Sequence, residues 1–130
     1  MAFAGQNYDY GNNYNDANTS PHSTFIAPVA GLYHFDAQVN FNNPNEENGT
    51  LIPFEHSLNL VLVRDGNSSI VVENTGLMSS KASPHISADL ELLSDDQIHV
   101  EVWMTASNSS GTISTNVRET FFSGRLLFKN

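Results

Sequence analysis

Apolar and polar residues alternate at period two through most of this chain, and that alternation restricts the fold more than any other feature. From Tyr33, the residues Tyr33, Phe35, Ala37, Val39 and Phe41 fall on one side of an extended backbone. His34, Asp36, Gln38, Asn40 and Asn42 fall on the other. Successive side chains of a strand point to opposite faces, so this reads as a half-buried β-strand. Ile86, Ala88, Leu90 and Leu92 repeat the pattern, as do Ile98, Val100, Val102 and Met104. The polar link Leu93-Ser94-Asp95-Asp96-Gln97 between them predicts a turn joining two antiparallel strands.

Two further segments are apolar on both faces. Leu58, Leu60 and Leu62 share one face, and Val61 and Val63 share the other. Arg64-Asp65-Gly66-Asn67 follows. Asp-Gly is a tight-hairpin signal, so Ser69-Ile70-Val71-Val72-Glu73 is the predicted return strand. Near the C-terminus Phe122, Gly124, Leu126 and Phe128 share a face, opposite Phe121, Arg125 and Leu127. A strand apolar on both sides is buried on both, and in a two-sheet sandwich the second face implies another subunit or domain. The polar stretches 7–23, 42–50 and 105–116 read as loops, and no segment carries a helical stripe. The expected fold is all-β, a two-sheet antiparallel sandwich or jelly roll in a single domain of 130 residues.

Composition narrows the partners. The chain has no cysteine, which excludes a disulfide framework, thiolate metal sites and cysteine nucleophiles. Five basic and 14 acidic residues give a formal charge of -9. Such a surface repels phosphate, so nucleic acid and anionic membranes are not expected partners. No apolar run is long enough to span a bilayer. No secretion signal is visible at Met1-Ala2-Phe3. That leaves a removed signal, a module of a longer chain, or another export route.

Phe25-Ile26-Ala27-Pro28-Val29-Ala30-Gly31-Leu32-Tyr33-His34-Phe35 resembles the signature of C1q-type globular heads, in the C1q/tumour necrosis factor superfamily. Three further segments, in family order, support the resemblance. Asn12-Asn13-Tyr14-Asn15 is similar to the family's Asn-x-Tyr-Asn segment. Residues 90–98 resemble its alternating leucines and Gly-Asp turn, with Asp95 where glycine is usual. Thr120-Phe121-Phe122-Ser123-Gly124-Arg125-Leu126-Leu127-Phe128 resembles its closing strand, with Arg125 in place of an aromatic. Phe25, Pro28, Gly31, Tyr33, Phe35, Phe122 and Gly124 are then the core signature. The resemblance implies a jelly-roll homotrimer whose first edge strand is abbreviated. No collagen-like repeat is present in the chain.

The expected function is a non-enzymatic, trimeric recognition or adhesion module, outside the cell or on a cell or virion surface, binding a glycan or protein ligand through surface loops. Two alternatives stay open: a trimerising tip or cap of a fibre, and a carbohydrate-binding accessory domain of an enzyme. Val61, Val63, Trp103, Phe121 and Leu127 are the candidate trimer interface. Trp103 also has the character of a sugar-stacking platform. Tyr8, Tyr10 and Tyr14 either form an aromatic surface or pin their segment to the sandwich. No phosphate-binding loop, nucleophile elbow or His-Glu-x-x-His helix is present, and no catalytic residue is assigned. Calcium, known at the apex of some C1q-like trimers, has Asp95 and Asp96 as its candidate ligands. His34 and His99 would form a metal pair if their strands were neighbours.

Overall fold

The computed structural model describes residues 14–15, 23–42, 46–47, 50–51, 54–78, 81–105, 112–113 and 120–130. Its strands are β1 (Tyr14–Asn15), β2 (Thr24–Ile26), β3 (Gly31–Gln38), β4 (Phe41–Asn42), β5 (Glu46–Glu47), β6 (Thr50–Leu51), β7 (Phe54–Arg64) and β8 (Asn67–Met78). They continue with β9 (Lys81–Ala82), β10 (His85–Leu92), β11 (Gln97–Thr105), β12 (Thr112–Ile113) and β13 (Phe121–Lys129). The described residues contain no helix. Five strands form one sheet in the order β1-β2-β11-β7-β8, and three form a second in the order β10-β3-β13. All pairings are antiparallel. Outside the two main sheets, β4, β9 and β12 pair as a small sheet, and β5 pairs with β6.

The two main sheets share one core. Phe25, Leu58, Leu60, Ile98 and Val100 come from the first sheet; Tyr33, Phe35, Ala37, Ile86 and Leu92 come from the second. The Phe25 ring meets Tyr33 and Phe35 edge-on, with centroids 5.5 and 5.3 Å away, the arrangement favoured by the quadrupoles of aromatic rings. Phe35 also stacks on Phe122 at 6.0 Å. Gly124 is needed there, because a Cβ at that position would lie 2.6 Å from the Phe35 ring. The Tyr33 hydroxyl donates to the Val29 carbonyl at 2.7 Å, so the buried phenol is satisfied.

The predicted hairpin forms. β7 pairs with β8 from Phe54 to Arg64, and Asp65 and Gly66 take φ of 52° and 78°. Two positive φ values give a type I′ turn, whose twist matches that of the strands it joins.

The expected turn between residues 92 and 98 is a different object. β10 and β11 do not pair; β10 lies beside β3 and β11 lies between β2 and β7, so the link carries the chain from one sheet to the other. The link from β2 to β3 crosses the opposite way, and the two are tied together. Ala27 N–H donates to the Asp96 carbonyl and Asp95 N–H to the Ala27 carbonyl, both at 2.8 Å. Period-two patterning cannot distinguish a hairpin from a crossover, because both join strands with one buried face.

β13 also departs from expectation. Its register against β3 shifts between Leu126 and Phe128, so that Leu126 pairs with Tyr33 but Phe128 pairs with Leu32. One extra residue reverses which face every later side chain occupies. Phe128 thus leaves the core side and is 69% exposed.

Candidate functional site

Sheet parity sorts the polar side chains onto two outer faces. On the β10-β3-β13 sheet, the register places Asp89 opposite His34 and Ser87 opposite Asp36. His34 Nδ1 lies 2.6 Å from Asp89 Oδ1, and its Nε2 lies 2.7 Å from Asp36 Oδ2. His85 Nε2 is 3.4 Å from the other Asp36 oxygen. A ring whose two nitrogens both face carboxylates is favoured as the imidazolium, the form in which both nitrogens donate. The pKa of His34 is accordingly raised, first by the hydrogen bond to Asp89 and then by that to Asp36.

Ser87, His34 and Asp89 look superficially like a nucleophile, base and orienting acid. Ser87 Oγ, however, is 3.5 Å from His34 Nε2, which Asp36 already occupies at 2.7 Å. An imidazolium paired in this way has no free lone pair with which to take a serine proton.

His34 and His99 do not form a metal pair. They lie on strands of different sheets, and His99 Nε2 instead contacts Glu101 Oε1 at 2.9 Å on its own strand. Of the candidate calcium ligands Asp95 and Asp96, the second is already engaged by its own chain. The Asp96 side chain is 3% exposed, and its carboxylate accepts from Arg64 Nε at 2.9 Å, from Arg64 Nη2 and from the Leu93 N–H at 2.7 Å. Its pKa is lowered, chiefly by Arg64. This carboxylate is consumed in fastening the crossover to the end of β7. Asp95 is exposed beside it, at φ 72°. Among the described residues, no group of three or more His, Cys, Asp or Glu side chains could hold a metal ion.

The second outer face belongs to β8, β7 and β11. The register aligns Thr75, Ser57 and Trp103 in one row, and Glu73, Asn59 and Glu101 in the next. Ser57 and Asn59, on the middle strand, are 5% and 8% exposed, whereas Trp103 is 51% exposed. The flanking strands therefore wall a trough whose floor is β7. Ser57, Asn59, Glu73, Thr75, Glu101 and Trp103 line it. A second groove on the other side of the indole is lined by Glu55, Thr75, Leu77 and Trp103, among others. Ser57 Oγ donates to Asn59 Oδ1 at 2.9 Å, which leaves the Asn59 amide N–H groups as the donors of the floor. Sequence parity alone puts Glu101 and Trp103 on one face of β11. Glu73, Thr75 and Asn59 join them only through the register of β7 against its two neighbours.

The expected interface residues do not form one surface. Val63 and Trp103 lie on the outer face of the larger sheet. Phe121 lies on the outer face of the smaller one, opposite Gln38, and Leu127 sits at the β13 bulge. Val61 leaves the set, because it is 2% exposed within its own chain, set between Ile70 and His99 in the register. Of the signature residues, Phe25, Gly31, Tyr33 and Phe35 are buried, Phe122 is half-buried against the core, and Pro28 and Gly124 are exposed. Tyr8, Tyr10, Asn12 and Asn13 lie outside the described residues. Comparison of the chain with protein-family models found no match, and comparison with curated proteins found none at the threshold applied.

Proposed function

We propose that this chain is a non-enzymatic recognition module of the C1q-like jelly-roll type that acts as a homotrimer on an extracellular or surface structure and binds a glycan. The observation that carries the ligand reading is the half-exposed Trp103 beside a trough floored by Asn59 and Ser57. An aromatic face stacks on the C–H face of a sugar ring, while carboxylates, hydroxyls and an amide exchange hydrogen bonds with its hydroxyls. The proposed site lies on strands, while the surface loops expected from the sequence lie mostly outside the described residues. Strands hold such groups more rigidly.

The strand order supports the jelly-roll reading. β7 pairs with β8, β3 with β10, and β2 with β11, each pair enclosing the previous one in sequence. Such nesting is a long hairpin folded over into two sheets, the winding of a jelly roll. The trimer reading is supported by Leu126, Leu127 and Phe128, exposed together on β13 at the end of its sheet. A trimer would multiply weak sugar contacts through avidity.

Trp103 is the only tryptophan, so its fluorescence reports directly on the trough. Saturable quenching by oligosaccharides is expected, and W103A is expected to lose their binding when it is followed by calorimetry. Absence of quenching by a broad glycan panel overturns the ligand reading. Light scattering is expected to give about three times the 14.3 kDa chain mass, and a monomer overturns the trimer reading.

A further inference from the structure

We propose that the Trp103 trough selects an amino sugar bearing a free ammonium, a glucosamine-type unit, over neutral and N-acetylated sugars. The proposal rests on the reading that the trough binds a glycan and names the class.

The walls of the trough are acidic on both sides. Glu73 and Glu101 face each other across Asn59 in one row of the sheet, two strands apart, or about 9–10 Å at Cα. Glu55 lies on the other side of the indole, lining the second groove. Glu55 and Glu73 have no side-chain hydrogen bond or ion pair among the described residues, while Glu101 accepts only from His99. Of the cations whose side chains are described, Arg64 is bound to Asp96, and Arg125 and Lys129 are on β13 of the other sheet.

Asn59 is an independent observation. More than nine-tenths buried, it lines the trough, and its oxygen is already occupied by Ser57. Its N–H groups find no acceptor among the described residues, so the floor offers a donor that an oxygen-bearing ligand would satisfy. A sugar hydroxyl accepts from Asn59, the ring lies along Trp103, and an ammonium donates to Glu73 or Glu101 while the indole face favours the same charge. A carboxylated sugar is repelled, and N-acetylation removes the charge that the walls recognise.

The test uses the intact chain and three probes, tetramers of glucosamine, of N-acetylglucosamine and of glucose, followed by Trp103 quenching. A mildly acidic buffer keeps the sugar amine protonated. The glucosamine tetramer is expected to bind at least about tenfold more tightly than the others. The preference should shrink at high salt and disappear in E73Q/E101Q. The control D65N/E91Q removes the same number of charges from exposed positions away from the trough and is expected to keep the preference. Equal binding of all three probes overturns the selectivity but leaves the glycan reading standing. Loss of the preference in D65N/E91Q also overturns it, by showing that overall charge is responsible. If none of the three quenches Trp103 and a wider glycan panel fails too, the glycan reading falls and this proposal with it.

Discussion

On the outer face of the β10-β3-β13 sheet, Asp36 and Asp89 are held by His34; on the outer face of the β8-β7-β11 sheet, Glu73 and Glu55 line the two grooves beside Trp103 with no ion pair among the described residues. Both faces belong to a chain of formal charge -9. The difference teaches where the acidic surplus is structural and where it is left available. A carboxylate with a built-in partner on another strand fastens the fold. A carboxylate without one contributes self-repulsion and is kept at a stability disadvantage unless something binds it.

The sharpest way to break this contrast is to remove a built-in partner. Arg64→Ala would leave the Asp96 carboxylate buried and uncompensated. A clear fall in the urea unfolding midpoint is expected, the largest among these variants. An unchanged midpoint would mean that the crossover is held by its backbone bonds alone.

Acidity separates two histidines next. His34 is raised from 6.5, so its contribution is complete below the unfolded value and is lost as pH rises through the raised one. His56 is buried against Phe41 and lowered from 6.5 by burial, so it opposes folding as pH falls below 6.5. Asp36 and Asp96 are lowered from 3.8; their contribution is present above that value and lost as pH falls through the lowered one. Stability measured against pH is therefore expected to peak near neutrality. His34→Gln should flatten the alkaline limb and His56→Gln the acidic one. An unchanged profile in H34Q would show that His34 is not the alkaline group.

Smaller effects test the residues that take no part. Asp95 holds φ 72°, in the left-handed region that glycine adopts without strain, and its side chain makes no hydrogen bond among the described residues. Asp95→Gly is expected to stabilise by about 0.5 kcal/mol. E73Q/E101Q is expected to change stability by less than about 0.5 kcal/mol, because exposed carboxylates contribute little to folding. A loss of stability there would place the trough among the structural features and remove the contrast.

The sequence and the fold agree where the physics is local. β3 is legible because one face meets the core and the other meets water, and the β7–β8 hairpin is legible because Asp65-Gly66 accepts two positive φ values. Sheet membership of β10 and β11 is not legible, since identical alternation serves either sheet. Nor could the residue pair Asp95 and Asp96 be told apart: one is exposed and the other bound to Arg64, 32 positions away. Trp103 stood out as a residue, but the trough around it depends on the registers of β7 with β8 and with β11. A bulge between Leu60 and Val61 shifts the first of these without any mark in the residue pattern.

The nested pairing also sets the order in which the molecule can assemble. β7 and β8 meet through a two-residue turn, whereas β3 must wait for β13, with Phe35 opposite Gly124. Loop closure over such separations is entropically unfavourable until the long-range contacts form, so topologies of this kind fold in milliseconds to seconds, not microseconds. The hairpin is available as an early seed. The seat of the Phe35 ring requires a longer loop closure than the β3–β10 or β2–β11 pairings, and a chain in which it is unformed leaves an apolar strand edge open to other chains.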